Sequence, residues 1–354
     1  MDLPFAFEKM AAGAGILERN REIGEVIAAL EPGGKSLAIY GGPRSGKETI
    51  IAEALEQVRS RRNNLIVCYI DLFNIRSYED FAALWRERMR ACAAEVNRDA
   101  LLPFEISFDD IPGSKIFDLP GIIAAEAGKQ MVIYFKEFQN LARFEDESFN
   151  LDVLDRAWSR QRHVRFLLTG SFVNAMKAIF EERKCFYSLC RTLELEPLDR
   201  KLVCEYIRST FLNAGRVIEM EEALDICDIA RSDMWYVKQL CAFCFSMPVG
   251  YVNRKIVNRS RDMLLSLHEP RFKQILLDLT VNQINLLHAV VDGVRKFTSA
   301  ETLETYRLNS SAGVVRSRDA LQKKEVLTFD REDNALIIDP LFEYWLRNYY
   351  FVKI

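Results

Sequence analysis

One short run limits the possible folds of this chain more than any other feature. The run is Tyr40-Gly41-Gly42-Pro43-Arg44-Ser45-Gly46-Lys47-Glu48-Thr49. From Gly41 to Lys47 it fits the pattern G-x-x-x-x-G-K of a phosphate-binding loop, in which a Ser or Thr normally follows and binds Mg²⁺. Glu48 stands where that hydroxyl belongs. The sequence therefore predicts a phosphate-binding loop whose metal side is altered.

The flanks of the loop support this interpretation. The run 36–40 is apolar and suits a buried parallel strand, and apolar residues recur at helical spacing over 48–58. In such a strand–loop–helix unit, backbone N–H groups cradle a phosphate and Lys47 reaches its β- and γ-oxygens. A chance glycine-rich turn is the alternative, and the two flanks count against it. All of the residues 41–49 are candidate nucleotide-binding positions.

Further apolar runs alternate with helical patterns along the first half of the chain. Strands are predicted at 65–70, 131–135, 164–169 and 192–195, and helices include 78–94 and 122–127. The segment 102–121 contains three prolines and is predicted to be a loop. This alternation predicts an α/β fold with a parallel sheet covered on both faces and a ligand at the carboxyl ends of its strands.

The pattern becomes helical after residue 196. Residues 199–267 and 272–293 have helical spacing, with a break at 248–250. Near the end, a short helix over 301–306 precedes a second helix that Ser310 or Ser311 can N-cap and that runs to about Lys323. Strands at 326–329 and 335–338 follow it. A helix–turn–helix followed by a hairpin predicts a winged helix.

Length and composition narrow the class of protein. The chain has 354 residues, which suggests two or three domains, and its net charge of −3 gives no overall basic signal for nucleic acid. No apolar run is long enough to span a membrane and the start lacks signal-peptide features, so we expect a cytoplasmic protein with no membrane contact. Cys241 and Cys244 form a single C-x-x-C with no second such motif nearby, and we interpret them as buried helical thiols. The three histidines are far apart in the sequence, so no metal site is predicted from them.

The second metal position of the expected site is altered as well. The acid that holds Mg²⁺ usually ends a hydrophobic strand, and here that place is occupied by Lys136. Glu137 follows and is the candidate for orienting or deprotonating water. Because positions 48 and 136 would face the same ion, we predict that Glu48 and Lys136 form an ion pair at the metal's place. The alternatives are two independent losses in a site that no longer binds nucleotide, or a weak metal site rescued by Thr49 or Glu137.

The end of the fourth strand supplies two further candidates. Thr169 and Ser171 would lie beside the loop, where either could sense a γ-phosphate or polarise water. Capping of the following helix is an equally good role for Ser171.

Several segments together resemble the archaeal-type ATPase family, a branch of the P-loop NTPases close to the AAA+ and STAND ATPases. The resemblance covers nearly the whole chain. It is carried by segments 16–23, 40–47, 69–73, 135–140, 168–171, 193–198, 232–236 and 339–346. The chain departs from the family's "DEFQ" at Lys136, and its segment 232–236 lacks the Gly and Pro of "G-x-P-x-Y".

The resemblance implies a P-loop core over 1–196 with strand order 5-1-4-3-2, a helical lid over 197–270 and a winged-helix domain over 271–354. It also implies ATP or ADP bound between core and lid, with Arg19 in a motif that lies against the adenine. A nucleotide-driven change in the lid and winged helix is expected. The altered positions 48 and 136 leave no ordinary Mg²⁺ shell.

The sequence favours a nucleotide-dependent switch with weak or absent Mg²⁺-dependent hydrolysis and an unknown protein partner. One alternative is a DNA-associated protein that uses Arg316, Arg318, Lys323 and Lys324 of the winged helix. Another is an interaction scaffold with a vestigial nucleotide site. The mixed charge of that helix favours protein contact over DNA.

Overall fold

Two compact units make up the chain. The computed structural model describes residues 4–5, 19–62, 64–98, 106, 111, 113–144, 149–248, 250–330 and 332–353. One unit is Ala12–Leu195, and the other combines Glu196–Ile354 with Met1–Ala11.

Strands and helices alternate in the unit Ala12–Leu195. Its elements are α1 (Asn20–Leu30), β1 (Ser36–Tyr40), α2 (Lys47–Arg61), β2 (Leu65–Asp71), α3 (Tyr78–Arg98), α4 (Leu119–Ala127), β3 (Gln130–Lys136), α5 (Leu151–Trp158), β4 (Val164–Gly170), α6 (Val173–Lys177) and β5 (Cys190–Glu194). The five strands form one parallel sheet in the order β2-β3-β4-β1-β5. The predicted α/β class and strand order are therefore confirmed.

The sheet separates two apolar layers. Successive side chains of β3 alternate between its faces, so Ile133 and Phe135 pack with α3, α4 and α5, whereas Val132 and Tyr134 pack with α1 and α2. Because both faces are covered, β1 is buried along its whole length. The glycine-rich loop therefore starts from the carboxyl end of a strand, β1, that is held in place by packing on both faces.

The loop prediction for 102–121 is wrong in its described part. Residues Gly113–Asp118 form a 3₁₀ helix and α4 starts at Leu119. Pro120 lies in the first turn of α4, where its missing N–H costs no hydrogen bond, so this proline begins a helix instead of marking a loop. The indole of Trp85 donates to the Ile116 carbonyl at 2.8 Å and ties the segment to α3. The rest of the predicted loop lies outside the described residues, apart from Ile106 and Ile111.

Helices dominate the second unit. Its elements are α7 (Arg200–Asn213), β6 (Val217–Ile218), α8 (Met220–Ala230), α9 (Met234–Ser246), β7 (Tyr251–Val252), α10 (Arg254–Leu277), α11 (Val281–Val291), α12 (Ala300–Thr305), α13 (Ser311–Lys323), β8 (Leu327–Phe329), β9 (Ala335–Ile337) and α14 (Pro340–Trp345). Ser310 N-caps α13 by accepting from the Gly313 N–H. The predicted helix–turn–helix and hairpin are present, with β8 and β9 antiparallel.

Two features of this unit were not predicted. The strands β6 and β7 form a parallel ladder of two residues each, too short to give a periodic pattern. The helix α10 continues through Pro270, so it spans position 270. In addition, Ser232 takes a left-handed backbone with φ of 57°, and Met234 begins α9. These two positions match the Gly and Pro of the family's motif, because Gly suits positive φ and Pro suits the first helical position.

None of the described helices is both long enough and apolar enough to cross a membrane.

A fold prediction follows from the aromatic layer under β3 and β4. Trp158 is fully buried and stacks on Phe166 with ring centroids 4.3 Å apart. Trp158→Ala should lower the free energy of unfolding of this unit by about 3–5 kcal/mol, because it leaves a large cavity. Tyr187 is 76% exposed, and Tyr187→Ala should change it by less than about 0.5 kcal/mol. Denaturant unfolding of both variants checks the pair, and equal losses would contradict this packing.

Candidate nucleotide site

The glycine-rich loop leads from the buried end of β1 directly into α2. Gly46 has a φ of 92°, a conformation that glycine adopts without steric cost, and it N-caps the helix. A Cβ on Gly41 would lie 3.0 Å from Ser45 Oγ and 3.1 Å from Leu195 Cβ, so this position is also tightly constrained. The loop therefore directs the first N–H groups of a 15-residue helix at one point.

Lys47 lies over the loop and is almost fully buried. Its ammonium donates to the Gly41 and Gly42 carbonyls at 2.8 and 2.9 Å and to Ser45 Oγ at 3.2 Å. Burial lowers the pKa of Lys47 from its ordinary value of 10.5 to about 8, while the nearby Glu137 and Glu48 carboxylates act to raise it. A buried cation is thus held at the centre of the loop.

Glu48 and Lys136 form the predicted ion pair. The Lys136 Nζ atom, at the end of β3, lies 2.7 Å from Glu48 Oε2 in the first turn of α2. The side chains remain 32% and 50% exposed, respectively. The parallel sheet brings the two positions together, because β3 is joined to β1 through β4.

The carboxylate of Glu137 is held by two neighbours. Its Oε2 atom accepts from Ser171 Oγ at 2.5 Å and from Gln139 Nε2 at 2.6 Å. Glu137 itself has a left-handed backbone with φ of 54°, which begins the 3₁₀ helix Phe138–Arg143. Ser171 therefore contacts the candidate base, and α6 has no side-chain cap from it or from its N-cap residue Phe172.

Thr169 and Tyr134 lie deeper in the sheet. The Thr169 hydroxyl donates to the Phe135 carbonyl at 3.0 Å in a buried contact between neighbouring strands. This bond engages the donor that a phosphate sensor would need. The Tyr134 hydroxyl is buried on the Glu48 side of the sheet and makes no hydrogen bond of normal geometry, although the Thr169 hydroxyl beside it acts to lower its pKa. Burial, and to a lesser degree the Glu48 charge, raises the pKa of Tyr134, so the phenol is neutral.

The remaining candidates lie in the loop, in the first turn of α2 and at the start of α1. Pro43 and Arg44 are exposed at the tip, where Arg44 has a φ of 62°, and Thr49 is partly buried in the first turn of α2. Arg19 lies at the start of α1 and pairs with Glu22 at 2.8 Å. Its predicted adenine contact stays a prediction.

The site as built fits a phosphate group but does not fit an ordinary Mg²⁺ shell. A glycine loop, a helix N-terminus and a buried ammonium are the parts that bind a phosphate. Mg²⁺ needs near-octahedral oxygen ligands and, in P-loop proteins, a hydroxyl and an acid from the protein. Here the two protein positions carry a carboxylate and an ammonium that bond to each other. Among the described residues, no cluster of three or more His, Cys, Asp or Glu side chains is arranged to hold a metal.

Sequence reasoning gave no role to Gln139 and Gly170. Gln139 is 1% exposed and supports Glu137, and a Cβ on Gly170 would lie 2.6 Å from Gln139 Oε1 and 2.4 Å from Met176 Sδ. Glycine at 170 therefore permits the close approach of β4 to this amide. The signal in the sequence was the Gln two residues after Glu137, inside the family-like segment.

Two of the four winged-helix cations are engaged within their own unit. Arg318 pairs with Asp333 at 2.7 Å and lies 3.6 Å above the Phe329 ring, both in the β8–β9 hairpin. Lys324 donates to the Asp278 carbonyl at 2.5 Å. The exposed positions on α13 include apolar Val315, at 51%, beside Arg316.

Solved structures share the architecture over almost the full chain. The Walker-type ATPase of Pyrococcus abyssi has a TM-score of 0.71 at 14% identity, covering 97% of this chain and 99% of that chain. The ORC2 protein of Aeropyrum pernix, in its ADPNP–ADP complexes, has a TM-score of 0.60 at 13% identity, covering 96% and 95%. Its ADP form gives 0.57 at 13% identity, with the same coverage. At these identities the likeness shows the fold.

The C-terminal region also matches by sequence. A family model described as "Probable winged helix domain" matches residues 270–348. No curated protein matches the sequence. The chain thus has the fold of a P-loop ATPase, with a winged helix at its C-terminal end, as the resemblance implied.

The buried lysine generates a testable pH dependence. The folded pKa of Lys47 is about 8 and its ordinary value is 10.5. Between these values the unfolded chain binds more protons, so this residue makes the free energy of unfolding rise as the pH rises through that window. As the pH rises through this window, the free energy of unfolding of the wild type should increase relative to that of Lys47→Met by roughly 1–3 kcal/mol.

Thermal unfolding at several pH values measures this gain as a change in the Tm difference between the two proteins. Lys35 is exposed on the approach to β1, and Lys35→Met is the matched control. If the Tm difference between wild type and Lys47→Met stayed constant from neutral to alkaline pH, the burial of a charged Lys47 would be contradicted.

Proposed function

We propose that this chain binds ATP or ADP through its glycine-rich loop and acts as a nucleotide-dependent switch with weak or absent Mg²⁺-dependent hydrolysis. One observation carries the proposal: an intact phosphate cradle, with Lys47 buried over the loop, lies beside an ion pair at the metal position. The Walker-type ATPase of Pyrococcus abyssi and the ADP-bound ORC2 protein share the fold and support a nucleotide as the ligand.

Weak hydrolysis follows from what phosphoryl transfer needs. Catalysis depends on positioning and on charge stabilisation, and the metal ion neutralises the charge that develops on the β- and γ-oxygens. Of the required groups, the site retains Lys47 and the acid Glu137. It lacks the hydroxyl and the acid that hold the metal.

A switching role follows from the contacts of Lys47. All three N–H donors of its ammonium point at loop acceptors, the Gly41 and Gly42 carbonyls and Ser45 Oγ. A phosphate can only gain this cation by exchanging some of those bonds. The bound and free loops would then differ in their hydrogen bonding, which is the differential interaction that a ligand-driven change requires.

The proposed function predicts binding without turnover. Wild-type protein should bind ADP and ATP in isothermal titration, and Lys47→Ala should weaken binding by at least about tenfold because a charge-assisted contact is lost. Lys35→Ala is the control for a lost positive charge. Phosphate release with ATP and Mg²⁺ should stay near background for all three proteins. Failure of the wild type to bind either nucleotide, with and without Mg²⁺, would rule out the proposal, and rapid turnover would rule out its second half.

We infer that the winged helix contacts a protein partner. The observation that favours this role is the intramolecular use of Arg318 and Lys324, together with the acidic residues Asp330, Glu332 and Asp333 at the hairpin. Because Arg331 offsets one of these acids and Arg318 pairs with Asp333, the wing gives phosphates no positive surface, whereas exposed Val315 suits a protein surface.

DNA association is the alternative outcome, and a gel-shift series across salt concentrations tests it. Contact with several phosphates would make the binding constant fall steeply as salt rises. We expect weak binding, with Arg316→Ala and the wild type behaving alike. A tight complex that weakens with salt and is lost in Arg316→Ala would contradict the protein-contact role.

A further inference from the structure

The geometry points to a specific form of the ligand: the loop takes metal-free nucleotide, and Lys136 supplies the positive charge that Mg²⁺ supplies elsewhere. This inference rests on the proposed nucleotide binding and extends it to Lys136, which then becomes a phosphate-binding residue. Its starting point is the contact of 2.7 Å between Lys136 Nζ and Glu48 Oε2.

The Lys136 ammonium lies on the metal side of the loop. Lys136 ends β3, and Glu48 is in the first turn of the helix that carries the loop. These are the two places from which a hydroxyl and an acid hold the metal against the β- and γ-phosphates. An ammonium bonded to Glu48 therefore lies on the side of the loop where the metal's charge would act.

The charged side chains at the loop balance one another. Two ammonium groups, Lys47 and Lys136, and two carboxylates, Glu48 and Glu137, surround the loop. The Glu48 and Glu137 charges both act on Lys47, and Lys136 is bonded to Glu48. An ordinary site with one lysine and two acids is net negative until a metal arrives. Here the second ammonium, Lys136, balances the second acid, so these four charges cancel and a polyanion can approach without a divalent ion.

Lys136 retains the capacity to bind a phosphate oxygen. An ammonium has three donors, and the bond to Glu48 uses one of them. The side chain is 32% exposed, so it is accessible from solvent. Its contact with Glu48 holds the ammonium near the start of α2, where the helix dipole also favours an anion.

The Glu48–Lys136 ion pair also disfavours a divalent metal ion. A divalent cation close to Glu48 would also be close to the Lys136 ammonium, which repels it. It would also have to break the existing ion pair to use the Glu48 oxygen. The same contact thus supplies a cation and disfavours Mg²⁺.

Titrations of ADP and ATP in excess EDTA and in excess Mg²⁺ test this inference. Wild-type affinity should be higher in EDTA than in excess Mg²⁺, because Mg²⁺ in solution binds the nucleotide and leaves less of the metal-free form that the loop takes. Lys136→Ala should weaken binding in EDTA by about tenfold, because one charge-assisted hydrogen bond is lost. Glu48→Gln should bind as tightly as the wild type or more tightly, since it removes a carboxylate but keeps the shape of the side chain. Lys35→Ala controls for net charge.

A reconstructed metal site gives the sharpest comparison. Glu48→Thr combined with Lys136→Asp restores a hydroxyl and an acid at the metal positions, and this protein should bind ADP at least about tenfold more tightly with Mg²⁺ than in EDTA. Electron paramagnetic resonance with Mn²⁺ and ADP gives a second readout: bound Mn²⁺ in the double variant and none in the wild type. Circular dichroism checks that each variant is folded.

The outcomes separate the two proposals. Wild-type binding that needs Mg²⁺, or Lys136→Ala binding that is unchanged in EDTA, overturns the metal-free inference but leaves nucleotide binding intact. An absence of binding in both buffers overturns both. Wild-type binding that is tighter in EDTA than in Mg²⁺, together with a double variant that binds more tightly in Mg²⁺, supports Lys136 as the built-in cation.

Discussion

The parallel register of β1, β3 and β4 is the constraint on which the whole site depends. Ile39 of β1 pairs with Thr169 of β4, and Leu168 pairs with Phe135 of β3. This register brings the carboxyl ends of three strands to one edge, so residues far apart in the sequence meet there. The loop follows β1, Lys136 ends β3 with Glu137 directly after it, and Ser171 follows β4. A shift of one residue would turn these side chains to the opposite face.

At this edge the physical effects differ in size. The Glu48–Lys136 pair is substantially exposed, and such pairs contribute about 0–1 kcal/mol to stability. Its importance is therefore in the charge that it presents to a ligand. Lys47 is different, because its burial lowers its pKa to about 8 and costs stability as long as the ammonium is charged. A group that destabilises the fold but remains at the loop is typical of a binding site.

Much of this arrangement could be predicted, because it depends on local patterns. The strands of the sheet, the glycine turn at Gly46 and the Ser310 cap each have a short signature of apolar runs, glycine or capping residues. The Glu48–Lys136 contact could be predicted because two charges of opposite sign had replaced two ligands of one ion. The sheet order came from the resemblance to a known family, not from the residues alone.

The missed parts depend on tertiary contacts. Ser171 could cap a helix or reach another side chain, and only the approach of β4 to Glu137 decides between them. The Thr169 hydroxyl donates to the Phe135 carbonyl of the next strand, a contact that the sequence does not indicate, and its sensor role stays a prediction. The ladder of β6 and β7 is too short for any periodicity. Proline occurs both in loops and in the first turn of helices, and the sequence alone does not separate the two uses. Pro120 was therefore predicted to lie in a loop, although it begins α4.

A crystal structure of the complex with ADP, grown with Mn²⁺ so that anomalous scattering locates any metal, would show directly which cation faces the phosphates. We expect ADP with its phosphates in the loop, the Lys136 ammonium within hydrogen-bond distance of a phosphate oxygen, and no anomalous peak beside Glu48. A Mn²⁺ ion coordinated by Glu48, with Lys136 turned away from the phosphates, would contradict this expectation.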